Sequence, residues 1–376
     1  MRLKINPKDW EHIVKVCKKT KATKKNPYMP VLFFEVNKNK LIIRDIMGGH
    51  SISSTYKYTC DIEGNEDGIE DGIYEINKET ITSTISKSSQ VAIEINNDHI
   101  KIITDYGEAV HNIRTSGDEL CKRIENYVNQ HETETELMAS EDFIEKMKWI
   151  KLIKSDPVLN YKSVIYFNKG KIMYTEGHKI FSAKISDDVV PYVENEDVGF
   201  MTNLEYAYLD LLDKKKNIVI EKHADSVAIK NDKSEIYLHQ DEINLKLSDL
   251  FEKSKCETEK EITLSKSETE TMCEFLKELK AIKVDVKKPI ILTFEKDTLK
   301  ISYLDTYEKT FEIDKRNFEN FKIAFSLDYL YESISKVKTI YYKDSCEFRM
   351  GKSNAPMYIT YGDYEVMLLP VRIKGV

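Results

Sequence analysis

RLKINPKDWEHIVKVCKK (residues 2–19), ELMASEDFIEKMKWIKLIK (136–154) and EITLSKSETETMCEFLKELK (261–280) share one plan. Each has a short β-prone run, then polar residues able to cap a helix, then an amphipathic stretch. Trp10, Ile13, Val14 and Cys17 fall on one face of the first stretch, and Met272, Phe275, Leu276 and Leu279 on one face of the third. The middle copy keeps the spacing more loosely with Phe143, Ile144, Met147 and Ile150. Apolar residues at i, i+3, i+4 and i+7 predict a helix with one buried stripe. Ser140 and Ser265 stand at N-cap positions with acids in the turn that follows.

A second triplet interleaves with the first: GIYEINKETITSTISK (72–87), VGFMTNLEYAYLDLLDKK (198–215) and FKIAFSLDYLYESISKVK (321–338). Each again reads as strand, cap and helix, and Leu327, Leu330, Ile334 and Val337 align in the last. Alternating β-rich segments follow at 91–104, 217–240 and 339–351, with turns expected at Asn96-Asn97-Asp98 and Asn231-Asp232. Corresponding pieces lie roughly 125 residues apart, the mark of an internal repeat. The expected fold class is therefore α+β: three tandem units, each of two helices on one side of antiparallel sheet. Acidic, weakly patterned stretches at 131–136 and 253–261 divide the chain into expected domains 1–130, 131–256 and 257–376.

At 376 residues, with 41% hydrophobic and 32% charged residues, each third can bury a core of its own. No run approaches eighteen apolar residues and the opening is polar by its fifth residue, so a cytoplasmic protein without membrane spans is expected. Cys17, Cys60, Cys121, Cys256, Cys273 and Cys346 are scattered, with no CxxC pair and no histidine at ligand spacing. They read as reduced thiols; no metal and no cofactor is expected.

The formal net charge of −7 argues at first against a nucleic-acid partner. Phosphate attraction is local, however, screened within about 8–10 Å. Lysines gather on the polar faces and C-terminal ends of the repeated helices. Lys18, Lys19, Lys21, Lys24 and Lys25 lead into Asn26, and Lys151, Lys154 and Lys280 follow in the later copies. The interleaved helices contribute Lys214, Lys215, Lys336 and Lys338. Any one of them could simply complement a helix dipole. Their recurrence in three copies predicts a basic face that attracts duplex backbone without reading bases.

Three further stretches complete a family likeness. They are Asn26-Pro27-Tyr28-Met29-Pro30-Val31-Leu32, Thr175-Glu176-Gly177-His178-Lys179-Ile180, and the tail from Tyr364 to Ile373, YEVMLLPVRI. With the first helix, they resemble the beta subunit of bacterial DNA polymerase III, the replicative DNA sliding clamp, over essentially the whole chain. The resemblance implies a DNA clamp fold of three like domains, and a non-catalytic homodimer whose head-to-tail contacts close a ring around double-stranded DNA. Val110 and its strand would meet the segment around Ala281 and Ile282 of the second copy.

The resemblance also implies a groove for short linear peptides of the DNA polymerase III alpha subunit, the clamp loader and repair proteins. Carried over residue by residue, that groove comprises Thr175, Gly177, His178, Lys179, Ile180, Ser248, Cys346, Leu368, Leu369, Pro370, Val371 and Arg372. The chain departs from the family at several points. Lys179 replaces an arginine, Leu247-Ser248-Asp249-Leu250 replaces Phe-Pro-Asp-Tyr, Thr202 and Asn203 replace basic residues, and Lys374, Gly375 and Val376 extend the tail. Such departures suit a diverged, phage or plasmid paralogue.

Two other functions fit parts of the sequence. A nucleic-acid-processing hydrolase would need His178 to be catalytic, yet no serine, cysteine or acid stands at a convincing partner spacing. No Walker loop, GxGxxG or HExxH occurs. A protein-binding scaffold without DNA would show neither salt-dependent DNA association nor a ring.

Overall fold

The computed structural model describes residues 2–21, 29–48, 52–64, 72–84, 86–96, 98–112, 135–138, 143–151, 164–168, 170–175, 177–185, 198–201, 206–213, 217–223, 226–239, 246–255, 260–282, 288–295, 297–316, 320–338 and 345–372. All six strand–helix pieces expected from the sequence are present. Arg2–Ile5 runs into α1 (Pro7–Lys19), and Gly72–Asn77 into α2 (Lys78–Ser83). Thr135–Met138 precedes α3 (Phe143–Lys151), and Val198–Met201 precedes α4 (Tyr206–Leu209). After α5 (Leu247–Lys255), Lys260–Ser265 leads into α6 (Lys266–Ala281) and Phe321–Phe325 into α7 (Leu327–Lys338).

Local chemistry explains the helix starts. Asn6 and Asn77 accept from the backbone N–H groups of Lys8 and Glu79 (2.9 and 2.8 Å), and Pro7 needs no donor there. Ser265 and Glu268 form a reciprocal capping box. Ser140 lies outside the described residues. The predicted stripes are buried: Trp10, Ile13, Val14 and Cys17 on α1, Phe143, Ile144, Met147 and Ile150 on α3, and Met272, Leu276 and Leu279 on α6. Phe275 is half-buried under the ammonium of Lys309.

The chain folds into two compact units, Met1–Ile144 with Phe200–Glu242, and Glu145–Gly199 with Ile243–Val376. In the first, a twelve-stranded antiparallel sheet grows around Ile52–Gly64, a thirteen-residue strand. It pairs with Lys40–Gly48, with Arg2–Ile5 and with Ser234–His239. One end of this sheet is Gly107–Asn112.

The second unit holds a nine-stranded sheet in which Lys179–Lys184 pairs with Tyr364–Leu368. A separate four-stranded sheet ends in Tyr307–Glu312. Strand pairing therefore runs across the boundaries expected after residues 130 and 256. Cys17, Cys60, Cys273 and Cys346 are free and buried; Cys121 and Cys256 lie outside the described residues. No helix among the described residues is long and apolar enough to cross a membrane.

Candidate functional site

The tail of the second unit builds a cleft. Lys179↔Leu368 and Ile180↔Met367 are register partners, so the turn before Lys179 and the segment after Leu368 emerge side by side. The hydroxyl of Thr175 closes the turn, accepting from Gly177 N–H (3.0 Å) and donating to the Lys179 carbonyl (3.0 Å). Gly177 has φ +90°, a conformation that favours glycine. The carbonyl of His178 accepts from Leu369 N–H (3.0 Å), and Val371 N–H donates to the Ala324 carbonyl (2.8 Å). The segment Leu369–Arg372 is thus held on both sides by backbone bonds.

Beneath it, Tyr166, Met173, Ile180, Leu247, Phe251, Tyr358 and Met367 form one apolar cluster against which Leu369 packs. Helix α5 is tied down by Lys171–Glu252 and Lys255–Glu365 ion pairs and by Tyr358 O–H donating to the Phe251 carbonyl (3.0 Å). Ser248 is half-buried on this helix. Over the segment opens a cleft of about 740 Å³, floored by Ala324, Leu369, Pro370 and Val371 and flanked by Lys352, Ser353, Asn354 and Arg372. Val371 is 40% exposed and also borders a smaller cavity of about 350 Å³ with Leu279, Ile282 and Leu327. His178 is exposed and stacks on Tyr329, ring centroids 5.2 Å apart.

Several residues expected to line this groove support it from below instead. Lys179 is fully buried: its ammonium pairs with Glu332 and sits over the Tyr329 ring at 4.6 Å, so its head belongs to the floor. Ile180, Leu368 and Thr175 are buried as well. Cys346 pairs with Leu264 inside a strand, and burial pushes its thiol up to about 12. The lining residues Ala324, Lys352, Ser353 and Asn354, and the stacking partner Tyr329, were not singled out from the sequence. The turn carrying Lys352–Asn354 has no local pattern that announces which strand end it will sit beside.

The basic face divides similarly. Lys18 and Lys21 are exposed at and beyond the end of α1; Lys19 is half-exposed and pairs with Asp210 at 3.2 Å. Lys280 pairs with Asp328 (3.0 Å) and lies over the Tyr331 ring. Lys336 is a correction: its ammonium is buried and donates to the carbonyls of Trp149 (2.5 Å) and Ile150 (3.3 Å), facing the interior. Lys151 and Lys338 end their helices, with side chains outside the description. Lys24, Lys25, Asn26, Lys154, Lys214 and Lys215 lie outside the described residues. Val110 projects from the sheet-end strand Gly107–Asn112 and is 59% exposed; Ala281 is exposed and Ile282 half-buried at the end of α6.

No protein-family model matches the chain, and no curated protein matches it by sequence. Solved structures match it by fold over 99% of its length and the whole of theirs. A DNA polymerase sliding clamp from Pseudomonas aeruginosa with a ligand gives a TM-score of 0.78 at 12% identity. The DNA polymerase III beta subunit of Thermotoga maritima gives 0.73 at 14%, and the Helicobacter pylori beta clamp bound to a DNA ligase peptide gives 0.70 at 15%. The chain has the sliding-clamp fold from end to end.

Proposed function

We propose that this chain is a non-catalytic DNA sliding clamp. The observation that carries the reading is the fold likeness along the whole chain, at TM-scores of 0.70 to 0.78. Three like domains per chain and a head-to-tail homodimer would close a ring around duplex DNA, with the lysines of the repeated helices facing the phosphates. Attraction to backbone through solvated ammonium groups holds the duplex without fixing a register, which is what sliding requires. The cleft over Leu369–Arg372 would take short peptides of the replicative polymerase, the clamp loader and repair proteins, apolar anchors against Leu369 and Pro370. A cytoplasmic location follows from that role.

Two measurements test the reading. Negative-stain images of the purified chain should show closed rings with a central hole. Neutralising Lys19, Lys21, Lys24 and Lys25 to glutamine should weaken binding to open duplex and reduce the slope of log K against log salt, by about 0.9 for each phosphate no longer neutralised. An unchanged slope overturns the basic face, and hydrolysis of nucleic acid by pure protein would replace the clamp with an enzyme.

A further inference from the structure

We propose that Asp210 sets how tightly the chain holds duplex DNA: in the free protein its carboxylate occupies Lys19 of the basic face, and a DNA phosphate has to displace it. This rests on the DNA reading above and adds an internal competitor to it. Helix α1 and the residues that follow α4 belong to the same compact unit. The Lys19 ammonium lies 3.2 Å from the Asp210 carboxylate, and Lys15, one turn earlier, donates to the Asp210 carbonyl (3.1 Å). A single residue of the neighbouring segment thus engages two lysines of α1.

Buried neighbours hold both sides of this contact. Val16 and Cys17 fix the last turn of α1. Leu211 and Leu212 follow Asp210 into the core, and Tyr208 before it is fully buried and stacks on Tyr56, ring centroids 5.4 Å apart. Leu211 N–H donates to the Tyr208 carbonyl (2.9 Å), so the backbone at Asp210 is a closed turn. A surface ion pair usually loses much of its attraction to side-chain ordering. A short aspartate on a fixed turn loses less.

The pair is nevertheless open to solvent, with the Lys19 side chain 46% exposed and that of Asp210 29%. An anion arriving from solvent can therefore reach the ammonium. It then stands beside the Asp210 carboxylate, and the two negative charges repel, so either the pair opens or the phosphate contact is weakened. Lys336 differs, because its ammonium is committed to buried carbonyls and cannot exchange. Salt screens the internal pair as well, so Asp210 competes most strongly at low ionic strength.

The test is a titration of the full chain with fluorescein-labelled open duplex of mixed sequence over a range of salt. Asp210→Asn should bind about twofold to fivefold tighter than wild type at low salt, the range that freeing one exposed pair allows. Its plot of log K against log salt should be steeper by up to about 0.9, one more phosphate neutralised. Asp210→Glu, which keeps the charge, should stay near wild type. In the Lys19→Gln background, Asp210→Asn should add nothing. Glu11→Gln removes an exposed acid from the same helix and should leave the slope unchanged. Asp210→Ser, run through the same cycle, keeps the readout should the amide upset the turn.

Equal affinity and slope for wild type and Asp210→Asn overturns the competition and leaves the DNA reading intact. So does a gain that persists without Lys19, or one that Glu11→Gln reproduces. Failure of wild type and every variant to bind duplex at low salt overturns the DNA reading and the proposal together.

Discussion

Lys336 reads from its position as one more ammonium at a helix end, yet its charge is used inside the protein. The side chain is 6% exposed, bonds to two carbonyls at the end of α3, and packs over the rings of Trp149 and Phe181 at 5.2 and 4.8 Å. It satisfies carbonyls that a helix end leaves without intrahelical donors. Lys78 does the corresponding work at the first repeated helix, donating to the Thr20 carbonyl (2.9 Å) while pairing with buried Asp45 (2.7 Å). Burial pushes the Asp45 carboxyl up, and Lys78 opposes that shift. Lys336→Met should therefore destabilise the second unit by about 2 kcal/mol, since two buried acceptors lose a charged donor. It should leave the salt slope of DNA binding where it was. A variant with normal stability and a shallower slope would return Lys336 to the basic face.

At the scale of elements, α1 is held by a polar network around His12. Its Nε2 lies 2.6 Å from the Tyr56 hydroxyl, and its ring stacks on Tyr58 at 4.1 Å. Tyr58 and Lys233 both donate to Asp9, at 2.5 and 2.8 Å. Burial, and then Lys15, lower the His12 pKa to about 4, against a smaller upward pull from Asp9. The unfolded chain, with an ordinary histidine near 6.5, takes up that proton first as pH falls. The stabilisation is thus complete above pH 6.5 and lost between 6.5 and about 4. Its size is up to about 3 kcal/mol. His12→Gln should flatten the urea midpoint across this window relative to wild type; parallel pH curves would remove His12 from the network's titration.

Helix α1 also shows what the sequence made legible. Its stripe of Trp10, Ile13, Val14 and Cys17 is a 3.6-residue period, and Ser265 is a cap, so local rules suffice for the repeated helices, whereas α5 at Leu247–Lys255 was not foreseen. The Asn96 and Asn231 turns are equally local: each side chain accepts from backbone N–H groups two and three residues on. The pairing of Ser54–Tyr58 with Ser234–Leu238 is not local, and period-two alternation names no partner. For the same reason the residue types of the groove could be carried over from the resemblance, whereas the inward turn of Lys179 and the approach of Lys352 to Pro370 depend on long-range pairing.

For the whole molecule, the open question is what covers the sheet ends. Gly107–Asn112 closes one sheet and Tyr307–Glu312 another, each with a free outer edge among the described residues. Both hairpins are braced alike, by Lys101–Glu108 and Lys300–Glu308 pairs at 2.7 Å. Both expose apolar groups, Val110 at 59% and Tyr307 at 39%. Unpaired edges with exposed apolar side chains invite another chain, and a head-to-tail interface that closes on itself gives a ring rather than a filament. In the proposed dimer the Val110 edge of one copy meets the Ile282 region of the other, twice per ring. Val110→Asp and Ile282→Lys should each shift the chain toward monomer in sedimentation velocity, because each homodimer would carry two disrupted interfaces. Mixed in equal amounts, the two variants should dimerise again: one interface then pairs Asp with Lys and the other is wild type throughout. An interface between like edges would gain nothing from mixing. Variants that stay dimeric alone, or stay monomeric when mixed, would remove the head-to-tail ring.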